Sequence, residues 1–363
     1  MKFVKTEELR IGMILAKPIY NKKGVLLYDR NSKLTQQGIE SVNNFGLIGI
    51  YILEPAEPLP PMSEDDIEFE KFQAVEVFAI VDELQSIAKN AKQVKIYNVA
   101  QSIIRAYGRL DHKINFIQSL RSSNDFVYKH SLNVAILCAM ISHQMNIKPT
   151  EQEELVVAAI CHACGFVSSD ERNRPTCIPE DPNEYKRMEY SGIARIDEVF
   201  VSTPAIKRTV LQSLKEIQAF NGNGDYVQGK VVNSAKILIV ADTYDTMTAM
   251  NSQGETPYSE IATLKHFMEH PEIYDVDVVE ALTNSINFLA EGCCVELSNG
   301  EKGLVLASNP KDILRPMVLC FSTNKIVDLA QTAFYGDLEI VDIMKTLDNR
   351  HVMDMSLLES MKQ

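Results

Sequence analysis

The sequence predicts an α+β protein: a mainly helical central domain flanked by a small N-terminal α/β module and a short C-terminal β extension. Three observations predict it. Between Asn124 and about Asn287, apolar residues recur at helical spacing, as in V-Y-K-H-S-L-N-V-A-I-L-C-A-M-I and A-K-I-L-I-V-A-D-T-Y-D-T-M-T. Ahead of residue 54, strand-like runs and turns surround a short helix, and the proline-rich stretch from Glu54 to Asp66 closes them off. After Asn287, G-C-C-V-E-L-S-N-G-E-K-G-L-V-L-A reads as a β-hairpin turning on Ser298, Asn299 and Gly300.

In the first 53 residues, Gly12 to Tyr20 is strand-like, Asn21 to Gly24 is a turn and Val25 to Tyr28 is the return strand. Thr35 has the position of a helix N-cap, with the helix running from Gln36 to Asn44, and Leu47 to Leu53 supplies a third strand. Residues 54–66 form the linker, with Ser63 and the acidic run after it placed to start the next helix. Residues 67–109 form a helical connector. Its apolar residues Phe69, Phe72, Val75, Phe78 and Val81 mark a stripe suited to packing on the core or on a second copy.

Helices are expected from Val94 to Tyr107, from His112 to Leu120 and from Asn124 to Met145, the last carrying His130 on the stripe of Val127, Val134, Cys138 and Ile141. The apolar run Val156 to Phe166, V-V-A-A-I-C-H-A-C-G-F, reads as a buried helix with His162 near its end. Cys161 and Cys164 are about 60° apart on such a helix while His162 points well away, so the three cannot share one ion and the cysteines read as small hydrophobes. Between Ser168 and Glu189 the chain is polar and proline-containing, with Arg172 and Arg174 in a solvated loop. The helix from Ala235 to Met250 places Asp242 after five apolar residues and on one face with Asp245, and carboxylates in such company are seldom left unpaired. Met317 to Phe321 and Ile326 to Leu329 add strands to a β extension over 291–345, and 346–363 is a tail.

Composition narrows the function. At 363 residues, with 45 % hydrophobic and 23 % charged residues, this is an ordinary globular chain with room for two or three domains. A net charge of -13 argues against nonspecific binding to nucleic acid or an anionic membrane, both of which need a basic footprint. Seven scattered cysteines do not form a disulfide framework, and there is neither a signal peptide nor a spanning apolar run, so a cytoplasmic location is expected.

The strings H-S-L-N-V-A, A-A-I-C-H-A-C-G and V-A-D-T-Y-D-T-M-T, in this order, resemble the HD-GYP family of the HD phosphohydrolase superfamily over roughly residues 110–290. R-I-G-M-I-L-A-K-P-I-Y resembles the module that often precedes such domains. The resemblance implies an HD-type helical domain that, in active members, holds two or three metals and hydrolyses cyclic di-GMP. The departures are severe. Ala163 stands where the family has the aspartate of its His-Asp pair, Phe166 replaces its lysine and Met188 its next histidine. The glycine-rich segment laid on Glu216 to Tyr226 keeps Gly222 and Gly224 but no ligand, and no histidine occurs between His162 and His266.

The surviving metal-type residues are therefore His130, His162 and Asp242, sufficient for at most one divalent metal such as iron, manganese or zinc, with no cofactor the first expectation. The leading reading is a catalytically degenerate HD-GYP-like protein, a regulatory or scaffolding module in cyclic-dinucleotide-type signalling that acts through protein partners or self-association. One alternative is a metal-dependent cyclic di-GMP phosphodiesterase with a reduced site, recruiting Glu216 or Asp245. The other is a non-hydrolysing cyclic di-GMP receptor, for which Lys207, Arg208, Lys215 and Lys230 are the anion-binding candidates along the cleft. In the plainest reading the two histidines and Asp242 simply hydrogen-bond one another.

Overall fold

The computed structural model describes residues 2–20, 25–53, 63–89, 94–122, 124–168, 176, 178–250, 257–289 and 291–343. The N-terminal module pairs β1 (Lys2–Lys5) and β2 (Ile14–Leu15) on either side of β5 (Gly49–Leu53), all antiparallel, while β3 (Ile19–Tyr20) and β4 (Leu26–Tyr28) form a separate ladder. The helix α1 (Gln36–Asn44) has the expected bounds, and the Thr35 side chain accepts from the Gly38 N–H. Val4, Leu15, Ile19, Leu34, Val42, Leu47, Ile50 and Ile52 make a small core of their own. The expected turn at Asn21 to Gly24 lies outside the described residues, as do most of the linker, Arg172, Arg174, His351 and the 346–363 tail.

The long helix α2 (Glu64–Ala88) opens on a capping box between Ser63 and Asp66, so the last three residues assigned to the linker belong to the helix. Its buried face is Phe69, Gln73, Val77, Ile80, Leu84 and Ile87. Of the stripe expected from the sequence, Phe69 is fully buried and Phe72, Phe78 and Val81 pack partly buried on the core, whereas Val75 is 55 % exposed. Steps of three residues rotate about 60° off a helical face each time, whereas the observed steps of three and four hold it.

The helical core continues with α3 (Ile96–Tyr107), α4 (Phe126–Gln144), α5 (Pro149–Cys161), α6 (Pro182–Val199), α7 (Pro204–Phe220), α8 (Asn233–Thr248), α9 (Glu260–Glu269) and α10 (Val276–Ser285). Inside it α4 is buried nearly all round, as its run of apolar and small residues requires, and packs against α2, α3, α5, α8 and α10. The segment from His112 to Leu120 is not the helix the sequence reading expected. It is extended, with Ile114, Phe116 and Gln118 buried in alternation and Ile114 bridged to Ile286. After α10 come β6 (Cys294–Leu297), β7 (Lys302–Ala307), β8 (Met317–Cys320), β9 (Lys325–Asp328), the short α11 (Thr332–Tyr335) and β10 (Ile340–Ile343), in an antiparallel sheet of order β10-β6-β7-β8-β9. The hairpin turns where expected, with Gly300 at φ 78°.

Where the module meets the helices, charge is buried. The Lys17 ammonium donates to the Gln118 carbonyl at 3.0 Å and sits 4.6 Å over the Tyr51 ring. Burial pushes the nearby Glu70 carboxyl up to about 7 against the opposing pull of Lys17. Between pH 4.5 and 7 the folded protein therefore holds a proton there that the unfolded chain has lost, so this group's contribution to stability falls as pH rises through that window. In urea titrations at pH 5 and pH 8, Glu70→Gln is expected to reduce the loss of stability that the wild type shows between them. An unchanged difference would remove Glu70 from the account.

Candidate functional site

Three helices bring the surviving motif residues together. His130 lies one turn into α4, His162 caps the C-terminus of α5, and Asp242 projects from the middle of α8. One ligand atom from each lies within 4.8 Å of the others. The His130 and His162 Nε2 atoms are 3.0 Å apart, and Asp242 Oδ1 stands 3.2 Å from the first and 3.7 Å from the second.

The outer nitrogens fix the tautomers. His162 Nδ1 lies 2.6 Å from the Ala159 carbonyl, which can only accept, so Nδ1 carries the hydrogen. His130 Nδ1 lies 2.7 Å from Asp245 Oδ2, and the carboxylate again accepts. In the neutral rings both Nε2 lone pairs therefore face each other and the Asp242 carboxylate, with no hydrogen among three acceptors. Something positive has to sit there: a second proton on His130, or a cation.

The proton is one answer. Burial pulls the His130 imidazole down, but the carboxylates of Asp242 and Asp245 outweigh it and raise the ring to about 9. As an imidazolium it donates between His162 and Asp242, and Asp242, despite its burial, is held well below the usual carboxylate range by the two histidines. A divalent ion is the other answer, and the donor set fits one. Metal–ligand bonds of about 2.0–2.2 Å place ligand atoms of a shared ion roughly 3.0–3.5 Å apart. The observed edges of 3.0, 3.2 and 3.7 Å bracket this. Two nitrogens and one carboxylate oxygen suit iron, manganese or zinc, with further positions left to solvent or ligand.

Behind the triad lies a network that the sequence reading missed. Arg121 and Asp245 are both fully buried, and Arg121 Nη2 donates to Asp245 Oδ1 at 2.7 Å and Oδ2 at 2.6 Å. Asn133 Nδ2 adds a bond of 2.9 Å to Asp245 Oδ1 and one of 2.9 Å to Gln118 Oε1. Gln118 in turn donates to Thr248 at 2.9 Å. The available signal was Asp245 itself, a carboxylate among apolar residues that needed a cation, although nothing local says which arginine supplies it. Asp245 therefore orients His130 from behind and does not join the converging ligand atoms. Glu216 is turned away as well, accepting from the Val227 N–H at 2.7 Å.

The triad forms part of the floor of a cleft of about 890 Å³ between α4, α6, α7, α8 and α9, lined largely by apolar and aromatic groups such as Phe126, Phe166, Tyr185, Ile217, Phe220 and Tyr274. Ala163 lines it where the family has a carboxylate, and Glu189, raised to about 7 by burial, lines it beside Met188. Gly165 and Gly192 let α6 approach the end of α5 backbone to backbone: a Cβ on Gly165 would lie 2.0 Å from the Met188 carbonyl oxygen. His266, which the sequence did not single out, lines the far end and lies 3.1 Å from the Tyr274 hydroxyl.

None of the four basic candidates lines this cleft, and that part of the expectation is corrected. Lys207 pairs with Asp197 at 2.7 Å, Arg208 lines a shallow surface depression with Glu154 and Ser202, and Lys215 and Lys230 are exposed elsewhere. They lie on the outward side of α7 and in the loop after it, where long charged side chains stay solvated. The cleft's lysine, Lys265, donates to the Ile340 and Val341 carbonyls at 2.6 and 3.3 Å. Cys138, Cys161 and Cys164 are buried with thiols pushed up by burial, as inert hydrophobes should be. No helix among the described residues is long and apolar enough to cross a membrane.

Over 214 residues the chain is 21 % identical to the cyclic di-GMP phosphodiesterase PA4108 of Pseudomonas aeruginosa, a match covering 56 % of this chain and 49 % of that protein. The chain thus spans about half the length of the curated relative it matches. No protein-family model matches the sequence, and no solved structure matches it.

Proposed function

We propose that this chain is a regulatory or scaffolding module in cyclic di-GMP-type signalling, whose HD-type site retains one cation position at His130, His162 and Asp242 and has lost two-metal hydrolysis. The observation that carries this reading is the donor set itself: among the described residues, this trio is the group of histidine, cysteine and acidic side chains that converges on one point. Two-metal hydrolysis clamps attacking and leaving oxygens between ions about 3.5–4 Å apart, and each ion needs its own ligands. Here Ala163 and Met188 offer no ligand atoms at the positions where the resemblance expects them, while Asp245 and Glu216 are committed elsewhere. A bound ion would supply Lewis acidity and a positive charge. This chain's residues would hold it through two Nε2 atoms and one carboxylate, with Asp245 and the Ala159 carbonyl keeping both rings in the ligating tautomer.

One feature favours a second reading, a reduced-site phosphodiesterase or cyclic di-GMP receptor: the tautomer-fixing bonds are kept, and an ion would place positive charge in a cleft whose lysine is already engaged. In the leading reading the protein acts through a partner protein or a second copy, and α2 offers the exposed Ile67 and Val75 to such an assembly.

The deciding experiment measures metal content by elemental mass spectrometry on untagged protein purified without chelators, followed by cyclic di-GMP hydrolysis with added Mn²⁺. The expected result is no more than one equivalent and no turnover, in the wild type and in Ala163→Asp alike, because a single restored carboxylate does not build a second metal site. Two equivalents, or turnover that disappears in His130→Ala, would overturn the reading. Calorimetric binding of cyclic di-GMP without turnover would move the conclusion to the receptor.

A further inference from the structure

The stretch just ahead of α4 belongs to two parts of the fold at once. On one side it is fastened to the N-terminal module. The Ile48 N–H donates to the Arg121 carbonyl at 3.0 Å, Leu47 bridges Ser122, Lys17 Nζ holds the Gln118 carbonyl at 3.0 Å, and the Leu120 side chain packs on the module's core. On the other side the same residues reach the site. Arg121 grips both Asp245 oxygens, Gln118 takes bonds from Asn133 and Arg121, and Asp245 orients the His130 ring through Nδ1.

We infer that Arg121 is a positioning residue for the His130, His162 and Asp242 site, and that the N-terminal module sets its place, so that docking of the module and occupancy of the site by a divalent cation are coupled. The inference rests on the single-cation reading above. The coupling path is short and buried: module strand, Arg121 main chain, Arg121 guanidinium, Asp245, His130. Arg121, Asp245 and Asn133 are fully buried and packed, so a shift of the main chain at Arg121 cannot be absorbed by solvent or by side-chain slack. Groups that orient a metal-ligating histidine typically alter affinity by about 10- to 100-fold when changed. Coupling is also reciprocal, so a cation that is held better with the module docked must in turn tighten the docking.

The test uses the full chain and Mn²⁺ alone, with affinity read by calorimetry and the Ile48 amide followed by hydrogen exchange. The wild type is expected to bind one equivalent and to slow exchange at Ile48 when it does. Arg121→Lys, which keeps the charge but is shorter and replaces the planar guanidinium that carries Nη2 to both Asp245 oxygens with a compact ammonium, is expected to bind about tenfold more weakly or worse. Lys17→Met, which keeps the buried stem but removes the bond to Gln118 and the charge over Tyr51 at the module boundary without touching the site's own network, is expected to weaken binding by about threefold and to speed Ile48 exchange, and it decides alone should Arg121→Lys not fold. Variants that bind Mn²⁺ within twofold of wild type, with Ile48 exchange indifferent to the ion, would overturn the coupling while leaving the single-cation reading in place. A wild type that binds no Mn²⁺ would overturn both.

Discussion

Arg121→Ala is expected to destabilise the protein by about 3–5 kcal/mol, the range found when one partner of a buried ion pair is removed and the other is left uncompensated. Asp245, wholly buried, takes a short bond on each of its oxygens from Arg121, and the truncation also leaves a cavity against the Phe126 ring, whose centroid lies 5.1 Å from the guanidinium. The His130 imidazole still faces Asp245 Oδ2, which keeps the loss from being larger. Equilibrium unfolding in urea gives the number. A loss under about 1 kcal/mol would mean that Asp245 takes up a proton or finds water once the arginine is gone, in which case the network behind His130 is looser than its geometry implies.

The second large effect is expected at Gly165. An alanine there places its methyl 2.0 Å from the Met188 carbonyl oxygen and 3.1 Å from the Gly192 nitrogen. These are main-chain atoms of α6, so no rotamer change relieves the clash and the helix itself has to move. A cost of about 3 kcal/mol or more is expected, at the upper end for overpacked sites. Because α6 contributes Tyr185, Glu189 and Ile193 to the cleft wall, the variant should also change the cleft while leaving the triad's three helices in place. Denaturation midpoints check the first part. Mn²⁺ affinity checks the second and should fall much less than in His130→Ala.

Both predictions turn on residues that local sequence treats unequally. Gly165 was visible as a survivor of the family's motif, but its reason, the approach of α6, depends on a helix that begins seventeen residues later. Arg121 carried no signal of its own. It follows I-N-F-I-Q-S-L, a run read as helix that the fold draws out as an extended segment between module and core, its alternation of Ile114, Phe116 and Gln118 matching a period of two. Lys207, Arg208, Lys215 and Lys230 failed as cleft residues for a related reason. Their charge was legible, but the face of α7 that carries Lys207, Arg208 and Lys215, and the course of the loop that carries Lys230, are set by what α7 packs against.

What the sequence by itself determined is what short-range chemistry controls. Thr35 and Ser63 mark helix starts because their oxygens satisfy N–H groups three residues away. Gly300 marks the hairpin, and residue type and motif order pick out His130, His162 and Asp242, the three side chains that converge. Tertiary structure alone decided how that site is charged and held. The pairing of Asp245 with Arg121 spans 124 positions, the facing of two Nε2 lone pairs depends on the crossing of α4 with α5, and the fastening of Arg121 to the N-terminal module joins parts that the linker separates. Each is a contact whose energy comes from excluding water around polar groups, and water is excluded only once distant segments have packed.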